Sequence, residues 1–189
     1  MGLKGSRTEK NLLAAFAGES QARNRYTFYA GIASKEGHEG IAGIFLETAD
    51  NEKMHAHLYF KQLKGSVVEI TAGYPSRIGN TATNLAAAAE GEREEWTSIY
   101  PAFGKIAEEE GFPVAAAIFR NIATVEAHHE NRYKTLLKRV QEGTLFKREK
   151  PIRWKCLKCG HIHEGTGAPA NCSVCAHPRA WFVPAEENF

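Results

Sequence analysis

No cysteine occurs before position 156 of the 189-residue chain, so a disulfide framework is excluded for most of its length. No apolar run approaches the ~20 residues needed to cross a bilayer, and no secretory signal opens the sequence. A soluble, cytoplasmic protein with no membrane partner is expected. A charge excess is missing too: the formal net charge of +2 gives no reason to expect nucleic acid or an acidic surface as partner. No glycine-rich dinucleotide motif is present, so NAD(P)H is not expected to bind here. Proline is sparse through residue 145, with only Pro75, Pro101 and Pro113. The opening "MGLKGS" fits the loose Met-Gly-x-x-x-Ser myristoylation pattern. It also spaces Ser6 and Glu9 as a helix capping box.

What is there is mostly helix. Residues 1–145 are rich in Ala, Leu, Ile and Glu, and their periodicity predicts helices over 7–36, 39–64, 81–110 and 113–142. Gly37 and Gly111 fall where a helix end needs a C-terminal cap, and Pro113 falls in a first turn. The short connections make each pair antiparallel, and the link over 65–80 is long enough to cross the bundle. Pro101 interrupts the third helix and predicts a kink or bulge. From about Lys150 the chain turns Pro/Gly/Cys/His-rich. The junction is placed at 147–152, within "FKREKPIRW", giving domains 1–147 and 153–189.

The helical part repeats itself. "IASKEGHEGIAGIFLETADNEKMHAHLY" from Ile32 returns 74 residues later as "IAEEEGFPVAAAIFRNIATVEAHHENRY" from Ile106. Glu36/Glu110, Gly37/Gly111, Phe45/Phe119, Glu52/Glu126, His55/His129 and Tyr59/Tyr133 are identical. The first helices correspond one residue out of step. Gly18-Glu19 precedes Gly91-Glu92 by 73, whereas Tyr26 precedes Tyr100 by 74. A duplicated helix pair brings equivalent residues together around a pseudo-two-fold axis.

Each helix carries acid on its apolar stripe: Glu19 between Ala15 and Ala22, Glu52 and His55 between Thr48 and Tyr59, Glu92 and Glu95 between Ala88 and Ile99, and Glu126 and His129 between Ile122 and Tyr133. Residues three apart share a helix face, so each Glu-x-x-His presents both groups inward. Unpaired buried carboxylates cost several kcal/mol each, and no Arg or Lys lies on these stripes. Two divalent cations balance them. One Glu from each of two helices plus Glu-x-x-His from each of the other two is the di-iron or di-manganese carboxylate arrangement. Tyr26 and Tyr100 lie two turns from Glu19 and Glu92, where their hydroxyls can bond a ligand carboxylate or simply pack. His57 and His128 lie off the stripe and are expected at the surface or behind the ligands. Glu95 breaks the symmetry, because its counterpart is Ala22. One metal can then exchange His55 for Glu95 as its charge changes.

The tail carries Cys156-x-x-Cys159 and Cys172-x-x-Cys175, four thiolates for one tetrahedral zinc or iron. So few residues need that metal to fold. Trp154, Trp181 and Phe182 are the expected mini-core. His161, His163 and His177 are read as surface or hydrogen-bonding groups.

"GSRTEKNLLAAFAGESQARNRY", "ETADNEKMHAH", "GERE" with Glu95, "VEAHHENRY" and the two knuckles, in this order, resemble the rubrerythrin family over essentially the whole chain. The resemblance implies an all-α, ferritin-like four-helix bundle with a small rubredoxin-like domain. It implies Glu52 and Glu126 as bridges between two irons (oxo- or hydroxo-bridged when oxidised), Glu19 and Glu92 as terminal ligands, and His129 on one iron. His55 and Glu95 would alternate on the other. Cys156, Cys159, Cys172 and Cys175 would hold a single iron. Free-standing rubredoxins have a longer loop between knuckles, and "CSVC" lacks the proline common after its first cysteine. The implied activity is a peroxidase protecting against oxidative stress. It would reduce hydrogen peroxide to water with electrons from NAD(P)H, delivered by a separate reductase or a rubredoxin. A homo-oligomer, dimer or higher, is implied as well. The alternatives are a ferritin-like ferroxidase or iron store, and a zinc-tailed binding protein.

Overall fold

Ser6 opens the first helix: its hydroxyl accepts the Glu9 N–H, and the Glu9 carboxylate accepts the Gly5 N–H. The computed structural model describes residues 2–63, 65 and 67–185. The expected end of the second helix at 64 and the last four residues of the tail lie outside them. The helices are α1 (Arg7–Lys35), α2 (Glu39–Gln62), α3 (Thr81–Glu94), α4 (Tyr100–Glu109) and α5 (Pro113–Gln141). Gly37 and Gly111 take φ of +80° and +79°, the left-handed cap that closes α1 and α4. His38 and Phe112 then donate back to Ala33 and Ala107. Pro113 stands in the first turn of α5, as expected.

The two halves also staple each other. Glu110, after α4, accepts from the backbone N–H and hydroxyl of Thr8 at the start of α1. Its repeat partner Glu36, after α1, accepts from Thr81 N–H at the start of α3. These contacts fix the topology. α1 runs up and α2 down; residues 67–80 cross the bundle without regular structure; α3–α4 run down and α5 up. The crossover lies along α1: Tyr29 donates to Arg77 O and Tyr74 approaches Ala14 O.

The expected irregularity near Pro101 is a π-helical turn, Glu95–Ile99, in which the Tyr100 N–H reaches Glu95 O five residues back. The proline follows at the start of α4, where its missing N–H is not needed. The turn absorbs one residue, which explains the slip in the repeat. Glu19 and Tyr26 are seven apart on a continuous helix; Glu92 and Tyr100 are eight apart across the π-turn. Both pairs point inward and all four residues are buried. At Ile99 the sequence stripe was off by one: Tyr100, not Ile99, is the buried residue.

The tail forms a sheet in the order β2-β1-β3, from β1 (Lys147–Cys156), β2 (Ile162–Gly167) and β3 (Phe182–Pro184), all antiparallel. Residues 147–152, read from sequence as a junction, are strand. Pro151 is tolerated because the register shifts between Lys147 and Ile152, where the ladder is interrupted. Trp154, Phe182, Ala168, Cys156 and Cys172 form the core of this unit, with Trp181 against it. It rests on the top of α2 with no room to spare. A Cβ on Gly40 would lie 2.6 Å from Val183 Cγ1.

Candidate metal centres

The bundle core splits into two aromatic layers. Tyr26, Tyr29, Phe45 and Tyr133 lie above, and Tyr59, Tyr100 and Phe119 below. Between them sit Glu19, Glu52, His55, Glu92, Glu126 and His129, all buried. These six form two overlapping clusters: Glu19, Glu52, His55 and Glu126; and Glu52, Glu92, Glu126 and His129. In each, the four donor atoms lie within 4.8 Å of one another. A first-row ion with bonds near ~2.1 Å separates opposed ligands by ~4.2 Å, so each set can close on one ion. Glu52 and Glu126 belong to both sets.

The imidazoles present Nδ1 to this centre. His55 Nδ1 lies 2.9 Å from both Glu52 Oε2 and Glu126 Oε1; His129 Nδ1 lies 2.8 Å from Glu126 Oε2 and 3.4 Å from Glu52 Oε1. Glu19 Oε2, Glu52 Oε1, Glu92 Oε2 and both Glu126 oxygens are buried without a well-directed hydrogen bond. Converging orphan oxygens are what a cation requires. Their titration agrees. Burial, and then the charges of Glu52, Glu95 and Glu126, push Glu19 well up. Burial and Glu52 push Glu92 up to about 8. Burial opposes charge on His55 and His129, yet the carboxylates beside them hold the rings up at about 9 and about 12. Burial also opposes charge on Glu52, but His129 and His55 keep it down at about 2.

The tyrosines bond across the halves. Tyr26 donates to Glu92 Oε1 at 2.6 Å, and Tyr100 donates to Glu19. Glu95 belongs to neither cluster. It is half-buried, its Oε1 lies 3.4 Å from the Tyr100 hydroxyl, and burial with the Glu92 and Glu126 charges pushes it well up. His57 and His128 are exposed. Two residues escaped the sequence reading. Asn51 Oδ1 lies 3.3 Å from His129 Nε2 and orients that ring, whereas the repeat places Val125 at the equivalent position. His55 Nε2 has no such partner among the described residues. Arg25 is buried beside Glu95 although it lies off the stripe; the recurrence of "NRY" at 24–26 and 131–133 was the available signal.

In the tail, Cys156 and Cys175 sulfurs lie 3.7 Å apart, and Cys159 and Cys172 sulfurs 3.6 Å. A disulfide is ~2.05 Å, whereas four sulfurs ~2.3 Å from one metal have tetrahedral edges near ~3.8 Å. The four cysteines form one ligand cluster. The two knuckles are built alike: Gly160 and Ala176 donate to the carbonyls of Cys156 and Cys172 with φ of +76° and +60°. His161 bonds Ser173 and His177 bonds the Cys175 carbonyl, so neither is needed as a ligand.

Residues 10–137 match the family described as rubrerythrin, and residues 154–183 match the rubrerythrin rubredoxin-like domain. A rubrerythrin of Porphyromonas gingivalis is 56% identical over 188 residues, covering 99% of this chain and 94% of that one. The rubrerythrin of Nitratidesulfovibrio vulgaris is 51% identical, covering 95% of each. Among solved structures, nigerythrin in a mixed-valence state superposes with a TM-score of 0.65 at 30% identity, covering 96% of this chain and 90% of that one. The donor sets described above accord with two iron ions in the bundle and one iron among the cysteines.

Proposed function

This chain belongs to the rubrerythrin family, and from that premise we propose that it is a peroxidase: H2O2 + 2H+ + 2e− gives two waters. The observation that carries this reading is the pairing, in one chain, of two metal sets sharing Glu52 and Glu126 with a four-cysteine site. The iron pair would supply the two electrons that O–O cleavage consumes, and the four-cysteine iron would return them singly.

The chain's own groups do the rest. Glu52 and Glu126 would hold both ions; Glu19 with His55, and Glu92 with His129, would complete the two ends. Glu95 and His55 would be alternative ligands at one position. Among the described residues Asn51 pins His129 and nothing pins His55 in the same way, and the counterpart of Glu95 in the other half is Ala22. Burial and neighbouring charge raise the proton affinity of Glu95, which lies beside the Tyr100 hydroxyl, and that hydroxyl itself bonds Glu19. That pair can pass a proton toward the departing oxygen.

The donor would be a rubredoxin or an NAD(P)H-dependent reductase acting on the knuckles, consistent with a cytoplasmic protein. Gly40, under β3, precedes Glu52 by about 18 Å of helix, so the two centres of one chain are well separated. A head-to-tail homo-oligomer would bring one chain's cysteine iron to another's iron pair. The test is stopped-flow absorbance on reduced, iron-loaded protein mixed with peroxide or O2. Rapid return of the oxidised cysteine-iron band with peroxide and slow return with O2 is expected. A band that ignores peroxide while added ferrous iron turns over favours the ferroxidase alternative.

A further inference from the structure

A cavity of about 290 Å³ lies between α1, α3 and the crossover segment. Gly18, Arg25, Tyr74, Gly91, Glu95 and Tyr100 are among its walls. Glu95 and Tyr100 connect it to the metal centre, since Tyr100 bonds Glu19. The larger groove between α1 and α2, about 940 Å³, runs past Phe16 and His57, and none of its lining residues belongs to the two ligand sets.

Two features mark the smaller cavity as built. The first is room. Gly18 and Gly91 each precede a ligand glutamate, and both lack a side chain where the cavity needs space. A Cβ at Gly18 would stand 4.0 Å from the Tyr74 ring, and one at Gly91 would stand 3.8 Å from Arg25 Nη2. A longer side chain at either position would enter the cavity. The second feature is Arg25 itself. It is only 8% exposed, yet its Nε and Nη1 have no hydrogen-bond partner, and it forms no ion pair among the described residues. Arg132, in the matching "NRY" triplet of α5, spends both terminal nitrogens on Glu47 and Thr48. Buried guanidinium donors without acceptors are costly. A small oxygen-bearing molecule in the cavity offers the acceptors they lack.

We propose that this cavity is the port through which hydrogen peroxide reaches the metal centre, and that Arg25 is the positioning residue holding it beside Glu95. The proposal rests on the peroxidase reading for the identity of the ligand. Hydrogen peroxide has four lone pairs to accept from Arg25 and two protons to donate. The cavity has space for it together with several waters, each ~30 Å³ in the liquid. Tyr74, on the crossover, forms part of its outer wall.

The test follows entry without turnover. Azide, a small anion that colours oxidised iron, is mixed with the resting iron-loaded protein, and its association and dissociation rates are read by absorbance. Gly18→Leu should slow both rates about tenfold and leave their ratio unchanged, which is the signature of a narrowed path. Tyr74→Ala, on the exposed crossover, should quicken both. Arg25→Gln should slow azide association about tenfold, because the attracting charge is gone, and should raise the KM for peroxide with a smaller change in kcat. The cysteine-iron spectrum and the thermal melt report an intact fold. Azide rates unchanged in both Gly18→Leu and Tyr74→Ala would overturn the port, and an Arg25→Gln protein with unaltered azide association and peroxide KM would overturn the role of Arg25. Normal azide entry without peroxide-driven reoxidation would leave the port standing and sink the peroxidase reading instead.

Discussion

Stripping the metals should make the bundle unusually sensitive to alkali. In the metal-free protein the carboxylates and imidazoles have only each other. His55 and His129 are then held at about 9 and about 12, against an ordinary value of 6.5, and Glu92 at about 8 against 4.5. All three folded-state values lie above the unfolded ones, so each contribution is lost as pH rises. For the imidazoles, the extra stability is full below 6.5 and fades toward the folded values. For Glu92, the loss runs from 4.5 to about 8. Glu52, held at about 2, acts the other way, but only below its ordinary value. Between pH 6.5 and 8.5 folding therefore takes up about two protons on average, or about 3 kcal/mol per pH unit. Across the window that is about 5 kcal/mol, an upper limit because water enters a demetallated core. It is a large share of a typical 5–15 kcal/mol. Urea unfolding of chelated protein, followed by circular dichroism at the two pH values, measures it. The midpoint should fall steeply with pH for the stripped protein and hardly at all for the iron-loaded one, whose ligands have already given up their protons. A stripped protein whose midpoint stays level or rises would refute this account of the buried charges.

Other outcomes follow from single contacts. Asn51→Val copies the equivalent position of the other half and frees the His129 ring. Competition with a chelator should show metal affinity weakened about 10- to 100-fold in that half of the site. Tyr100→Phe leaves Glu19 without its buried donor and should lower stability by about 1–3 kcal/mol in denaturant titration. Ala176→Gly relieves a left-handed alanine at φ +60° and should stabilise the cysteine unit by about 1 kcal/mol, read as slower metal loss to a chelator. Gly40→Val drives a side chain into Val183. Hydrogen exchange at the top of α2 should rise while the cysteine-iron spectrum is retained.

Much of this was legible in the sequence because duplication writes it twice. Glu-x-x-His recurs, the capping glycines recur, and a periodic stripe has no other use for acid. The π-turn was visible as two separate signs, a proline in the third helix and a one-residue slip between Glu92 and Tyr100. Neither alone gives a helix that widens by one residue. Arg25 and Asn51 were not legible. Arg25 lies off the apolar stripe, and its burial depends on the crossover segment lying over it. Asn51 precedes a ligand on a face that only the packing of α5 turns inward. The start of β1 was hidden because its alternating charges and proline resemble a linker. Its partner, β2, comes only after the first knuckle has turned the chain back.

The π-turn also bears on how a symmetrical protein obtains an unsymmetrical centre. A duplicated helix pair, left alone, offers two equivalent seats, and equivalent metals have no reason to divide their labour. One extra residue between Glu92 and Tyr100 preserves everything the halves share: the ligand, the tyrosine and the bond each makes across the axis. The slack appears in the stretch between them, where Glu95 stands opposite an alanine. Glu95 stands beside one end of the site and also lines the cavity, while the other end has Ala22 at the matching place. Two nearly equivalent donor sets thus come to have unlike surroundings beside one residue of helix that does not advance the chain by its usual step.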